Sequence, residues 1–467
     1  MALTKGSSEV PRTRKKSAAH FLRVPESIQV AIVFVPVLVT LLYVHFFSVD
    51  LPFMDQWEVV PAVMHMESGH LHWSDIYRQH NEAIVPVSIA LTLVVAKLTR
   101  YNVVAEAYIA YACLVGALLV LFVFFRRVQR KLPIMTLAFL PISAMFLGWR
   151  GHEGILWGAG LNSNLGLLLM LLAIWGAIRA AETARWIWGA IILAILAAFS
   201  FGSGLLAWPL GLAILLFPAE GQRSGRLILI WIAAAVMTTA VYFDGYMIHR
   251  VPWPTGIGYV LGHLFPAAYY TLVYTGSALG GTRSADARIN LALTLLFLPA
   301  GWVVLRSKEL RKAVLPFSAV LAFLWLTVPP VLSGRLGLAG AGGLSMQVDQ
   351  PYLASRYASI SALWTTGIYI YLLALAFKRK IWRYVAAAAL VLLCVGIAGG
   401  YQEGLTYARI DRVKKTACRE ILKNYLVHDD ADLSCYYPDV IQGRRWAFWL
   451  DEFHLSVFRE GSTAARW

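Results

Sequence analysis

Asp55 stands in the stretch Phe53-Met54-Asp55-Gln56-Trp57-Glu58, a few residues past the first long apolar run. It opens a polar segment that reaches His80-Asn81-Glu82. A carboxylate within hydrogen-bond reach of a hydroxyl can take its proton and turn it into a nucleophile. The same segment holds Glu58, Arg78, His80, Asn81 and Glu82. Later polar breaks between apolar runs carry Arg150, His152 and Glu153, then Asn162 and Asn164, then His249 and Arg250. Arg283, Asp286 and Arg288 follow, and then Arg335, Asp349, Arg356 and Tyr357. Guanidinium forks match the oxygens of a phosphate. Acids that could serve as a base and arginines that could grip a phosphate therefore come from several breaks in the chain. They suit displacement of a phosphate-linked group by a hydroxyl, if folding gathers them on one side. The competing reading is that Asp55 caps a short helix over 56–67, and spacing alone does not separate the two.

The elements that must position these residues are apolar helices. Of the 467 residues, 59% are hydrophobic and 14% charged, where soluble chains run at about 45–50% and about 25%. Apolar runs of about 17–25 residues recur along the chain, each long enough for a hydrocarbon core about 30 Å thick. Alternating strands of the kind that build a membrane barrel are lacking. The net charge of +15 comes from short Lys/Arg clusters between the apolar runs. That pattern marks cytoplasmic loops and excludes a nucleic-acid face, which would gather the cations together.

Residues 1–26 form a basic cytoplasmic tail that includes Arg12-Thr13-Arg14-Lys15-Lys16. The first apolar run, 27–48, is too long for a signal peptide and lacks a small-residue cleavage site, so it is a retained crossing. The polar segment 49–82 then lies outside the cytoplasm. Residues 84–99 are short and carry Pro86, and 103–125 ends in Arg126-Arg127-Val128-Gln129-Arg130-Lys131. Keeping that cluster inside makes 84–99 a partial or interfacial helix, the alternative being a full crossing that puts the cluster outside. Crossings follow at 132–148, 164–181, 187–201, 205–217, 227–246, 289–305, 313–332, 357–377 and 384–400, with 257–281 as a second partial or surface helix. The sequence thus predicts an all-α polytopic membrane protein of about eleven crossings, N-terminus inside and C-terminus outside. The domain reading is a tail over 1–26, a transmembrane domain over 27–400 and an external region over 401–467.

Cys113 and Cys394 fall inside apolar runs as plain core residues, while Cys418 and Cys435 both fall in the external region. On an oxidising side these two suit a disulfide; two unpaired thiols are the other reading. Asp55, Glu58, His65, His70, His72, His80 and Glu82 crowd the first loop with groups able to bind a metal, but in no tight ligand spacing. No cofactor is implied firmly, and a divalent cation is left open.

The order of the polar motifs resembles membrane glycosyltransferases of the GT-C superfamily, including a broad bacterial group. The residues that carry the likeness are Asp55 just past the first crossing, Gln79-His80-Asn81-Glu82, Trp149-Arg150-Gly151-His152-Glu153, Phe201-Gly202-Ser203-Gly204-Leu205-Leu206-Ala207-Trp208-Pro209, Ser355-Arg356-Tyr357 and Leu455-Ser456-Val457-Phe458. The similarity spans residues 28 to 460. It implies a GT-C-like bundle in the bacterial cytoplasmic membrane and a polyprenyl-phosphate-linked sugar donor. It also implies an inverting transfer to a glycan, lipid or protein acceptor on the outer side. It places the base at Asp55 and donor phosphate binding at Arg356, Tyr357 and Arg335. Glu58, Arg78, His80, Asn81, Glu82, His152 and Glu153 are the remaining candidates for substrate binding. Two departures stand out. Ala83-Ile84 follow Glu82 where the group often has His-Arg, and Asp55-Gln56-Trp57-Glu58 replaces a pair of neighbouring acids; a metal requirement and the acceptor stay open on both counts. An O-antigen ligase or polymerase-like enzyme is the alternative, but the late loop, 333–356, has no histidine. A transporter is the third reading; no internal repeat supports it.

Overall fold

The computed structural model describes residues 24–80, 82–221, 223–247, 253–280, 282–339, 355 and 357–459. Asn81 and Arg356 lie outside the described residues, as do His249, Arg250 and Asp349. Arg335 lies in the helix Lys308–Ala339, but its side chain is outside the description. Among the described residues eight helices are long and apolar enough to cross a membrane: Glu26–Phe47, Val103–Gln129, Gly160–Glu182, Gly225–Phe243, Ser284–Arg306, Lys308–Ser333, Ala358–Ala376 and Lys380–Lys423. The chain is an all-α polytopic membrane protein.

Burial sorts these helices. The apolar window of Ala358–Ala376 is 89% buried, whereas that of Gly225–Phe243 is 17% buried. A helix that is hydrophobic all round and buried all round is the centre of a bundle. The exposed apolar residues on the outer helices, such as Leu38, Val236, Leu298 and Val391, form the outer face, on which lipid replaces protein. Cys394, expected in the core, is on that outer face, while Cys113 is buried.

Three expected crossings fold differently. The segment 132–148 gives only Thr136–Phe139 and Leu140–Phe146, and 187–201 and 205–217 give Ile187–Ala198 and Ala207–Leu216. At about 1.5 Å per residue none of these spans a core of about 30 Å alone. The hairpin through Phe201-Gly202-Ser203-Gly204 forms as expected, and its reason is steric. A Cβ on Gly204 would sit 1.9 Å from the Ala197 carbonyl oxygen, so only glycine allows this approach. Residues 84–99, expected to be a partial or interfacial helix, give Pro86–Thr99, and the expected partial or surface helix over 257–281 is two short helices, Trp253–Gly262 and Leu264–Gly276.

Two cores hold the molecule. The larger one runs through the bundle. The second joins the two ends of the polypeptide: Trp57, Val60 and Val63 from the first loop and Ile89 and Leu93 from Pro86–Thr99 pack on Leu422, Tyr436, Trp446, Leu450 and Phe458. The helix Lys380–Lys423 runs unbroken through residue 400 and carries the C-terminal residues to this core. Cys418 and Cys435 are joined in a disulfide, Cα–Cα 5.9 Å, as the spacing suggested. It closes a loop with a sequence separation of 17. Replacing both cysteines by serine should therefore lower the stability of the tail by about 3 kcal/mol, read from the denaturant midpoint with and without reductant.

Candidate active site

The first loop is built around a side chain that cannot leave. Trp57 is fully buried, donates from Nε1 to the Pro52 carbonyl at 2.8 Å, and packs on Tyr436 and Trp446 at centroid distances of 4.9 and 6.4 Å. An aromatic this close to a crossing is expected at the membrane interface; the fold instead buries Trp57 under the tail. Next to it, Gln56 donates from Nε2 to Glu106 Oε2 at 3.0 Å, and its carbonyl accepts from Tyr101 Oη at 2.8 Å. Met54 takes φ +49°, where few side-chain-bearing residues sit, and its N–H donates to the Tyr436 carbonyl at 3.3 Å. Such a conformation costs about 1–3 kcal/mol and persists only where packing over-determines it. Asp55, between Met54 and Gln56, is thus fixed from both sides. It lies inside the 3₁₀ turn Met54–Val59, whose N-cap is Phe53, so the capping role considered for Asp55 does not apply.

Asp55 faces a chamber of about 190 Å³. Arg78, His80, Glu82, Glu153 and Tyr357 line it too. These residues come from separate parts of the chain, and the fold brings them to one place. Two-residue strands, Gln79–His80 and Ala83–Ile84, pair antiparallel and present His80 and Glu82. This hairpin is tied to the end of Gly225–Phe243: the Ile84 N–H donates to Tyr242 Oη at 3.1 Å, and Tyr246 Oη donates to the Glu82 carbonyl at 2.9 Å. Glu153 is delivered by the short helix His152–Leu156, and its N–H donates to Ser355 Oγ at 3.2 Å. That bond pins the start of Ser355-Arg356-Tyr357 against the second polar loop.

Other expected site residues support the chamber without lining it. Glu58 pairs with His80 Nδ1 at 2.8 Å, and its carbonyl accepts from Arg78. His152 is buried, bonds Ser355 Oγ at 3.1 Å and stacks on Tyr407. Burial, with the cations Arg150 and Lys415 nearby, pushes its pKa down to about 3, so it stays neutral. Arg150, expected as a phosphate ligand, is paired instead with Glu403 at 2.9 Å and Asp286 at 3.3 Å, and is 3% exposed. The metal-binding crowd also disperses: His65 pairs with Asp75 at 3.0 Å and His80 with Glu58. Among the described residues no three His, Cys, Asp or Glu side chains converge to hold an ion.

Two chamber residues and one neighbour of the chamber escape the sequence reading. Gln56 and Glu106 form its floor. Lys415 lies behind Asp55's turn, 5.0 Å from the Phe53 ring centroid and 4.7 Å from that of Trp157, with Asp411 at 3.6 Å. Glu106 did leave a signal, an acid within an apolar run. Lys415 left none, because the two rings it faces lie far away in sequence.

A second, apolar groove of about 270 Å³ opens beside the chamber, walled by Leu205, Leu206, Phe243, Pro330 and Val331. Glu82, Ala83, Phe201 and Tyr357 line both spaces, so the two meet along a shared edge.

Two measurements probe this architecture. Arg150→Met removes the cation that pairs with the buried Asp286 and the part-buried Glu403 and should cost about 3–5 kcal/mol, seen as a lowered unfolding midpoint. The second concerns pH. The bond from His80 holds Glu58 below its ordinary 4.5 despite burial. Burial alone would lower the His80 pKa, but the bond to Glu58 and the charges of Glu58 and Asp55 raise it above 6.5. The contribution of His80 is complete below 6.5 and lost as pH rises through its folded value; that of Glu58 is complete above 4.5 and lost as pH falls through its own. The pair should therefore hold the hairpin best between these limits. Hydrogen exchange at 79–84, corrected for intrinsic rates, should slow in that window, and Glu58→Gln should flatten the profile.

No protein-family model matches the chain, and no curated relative matches it. Among solved structures, it is similar to the oligosaccharyltransferase of Archaeoglobus fulgidus in its apo form, at 14% sequence identity and a TM-score of 0.42. The match covers 90% of this chain and 59% of that one, so about two-fifths of the larger protein has no counterpart here.

Proposed function

We propose that this protein is a membrane glycosyltransferase of the GT-C kind. It transfers a sugar from a polyprenyl-phosphate-linked donor to a glycan, lipid or protein acceptor at the outer face of the bacterial cytoplasmic membrane. The observation that carries the reading is the two-part cleft: a chamber with acids and a guanidinium, continuous with an apolar groove. A ligand with an anionic head and a hydrocarbon tail matches that division, because each part is desolvated by surface of its own kind.

In this reading the polyprenyl chain lies along Leu205, Leu206 and Phe243, and the phosphate meets Arg78. The buried Nε of Arg78 has no acceptor among the described residues, and a phosphate oxygen supplies one. Asp55 accepts the proton of the acceptor hydroxyl. The hydroxyl oxygen bonds to the anomeric carbon as the bond from that carbon to the phosphate oxygen breaks. The electron pair leaves with the phosphate, and Arg78 offsets its growing charge. Attack opposite the leaving group inverts the anomeric centre. Arg335 and Arg356 belong to the same expectation for the phosphate.

Asp55→Asn keeps the shape of the side chain and removes the base. Transfer from a radiolabelled glycosyl polyprenyl phosphate should fall by about 10²–10⁴-fold, while the donor still binds and the purified protein still elutes as one species. Transfer at the wild-type rate would remove Asp55 from the mechanism.

A further inference from the structure

The mechanism above leaves buried carboxyls of the chamber unused, and Glu106 is one of them. Glu106 is 2% exposed, in the first turn of Val103–Gln129. Its Oε2 accepts from Gln56, but its Oε1 is buried with no partner among the described residues. Leaving such an atom unpaired is costly, which makes it a place where a ligand's donor is strongly favoured. The wall beside it carries the complementary defect. Trp157 lines the same chamber, and its Nε1 is likewise buried with no partner among the described residues. Gly158 follows Trp157 in the same lining. A Cβ there would lie 2.2 Å from Glu106 Oε2 and 2.4 Å from Gln56 Nε2, so glycine is what lets the bonded Gln56–Glu106 pair approach this turn so closely.

A metal or ammonium group would want acceptors only, and an anion donors only. Here one chamber lining offers one acceptor and one donor, which is what a hydroxyl requires, since it both donates and accepts. Asn162 and Ser163 extend the same lining with neutral polar groups, and Gln56 links Glu106 to the residue next to Asp55.

We infer that Glu106 and Trp157 form a sugar-hydroxyl subsite on the floor of the chamber. The inference rests on the glycosyltransferase reading for its setting. The hydroxyl belongs either to the sugar being transferred or to a sugar acceptor, and both would be read by the same pair of atoms.

The test is equilibrium binding to the full-length protein in detergent, with three probes: undecaprenyl phosphate, glucosyl undecaprenyl phosphate, and methyl glucoside added with undecaprenyl phosphate present. Wild type should prefer the glucosyl lipid over the bare lipid, or bind methyl glucoside measurably. Glu106→Gln should weaken that sugar-dependent part on the order of tenfold or more and leave affinity for the bare lipid unchanged. A loss in the glucosyl-lipid arm assigns the hydroxyl to the donor; a loss in the methyl glucoside arm assigns it to the acceptor. If sugar-dependent binding is absent from wild type, or equal in the variant, the subsite is overturned. If the bare lipid fails to bind wild type, the donor proposal falls, and the methyl glucoside arm still decides the subsite. Should Glu106→Gln not elute as a single folded species, Trp157→Phe deletes only the Nε1–H and carries the test. A several-fold loss of sugar-dependent binding is expected, and unchanged binding overturns the inference.

Discussion

The burial of Trp57 is the constraint on which the site depends. A first loop of this length, tethered only at its ends, would hold no side chain to the precision that proton transfer needs. Packing Trp57 between Tyr436 and Trp446 removes that freedom, and it lets Met54 stay in an unfavourable backbone conformation one residue before Asp55. The ion pair between Asp50 and Arg459 ties the same two regions together, and the bond from the Val103 N–H to Asp50 Oδ1 at 3.1 Å joins the first loop to the helix Val103–Gln129. The carboxylate that faces the chamber is thus held by residues from the far end of the polypeptide.

Buried charge sets the second pattern. Arg150 pairs with both Asp286 and Glu403, so three polar elements are locked together. Breaking such a set is expensive, although forming it contributes little net stability. This set fixes how the second polar loop, the start of Arg283–Arg306 and the helix Lys380–Lys423 meet. Lys415 does similar work closer to the chamber, its ammonium set against two aromatic faces and the Asp411 carboxylate.

What the sequence makes legible follows from range. Hydropathy is a local quantity, so the long spans and the short helix at 86–99 can be read directly. So can Asp55, Arg78, His80, Glu82, Glu153 and Tyr357, polar residues at apolar borders that do share one chamber. Burial by a distant partner is not local. Nothing near Trp57 announces Tyr436, and nothing near Arg150 announces Glu403, so one looks like an interfacial anchor and the other like a phosphate ligand. The three short segments look like crossings because their composition is apolar; contacts such as the approach of Gly204 to the Ala197 carbonyl are visible only once the chain has folded. Glu106 was in plain view as an acid in an apolar run, and only its pairing with Gln56 shows why it is there.

The helix Lys380–Lys423 is a single rod of 44 residues, about 66 Å at 1.5 Å per residue. Its first part stands in the bundle and its last part presents Lys415 to Phe53 and Trp157. Angular phase along such a rod is set by counting. Losing one residue between Gly400 and Lys415 would swing the ammonium by about 100° and shift it by about 1.5 Å, off both rings. That stretch is free to vary in composition on its outward face, but its length is locked to the loop it supports.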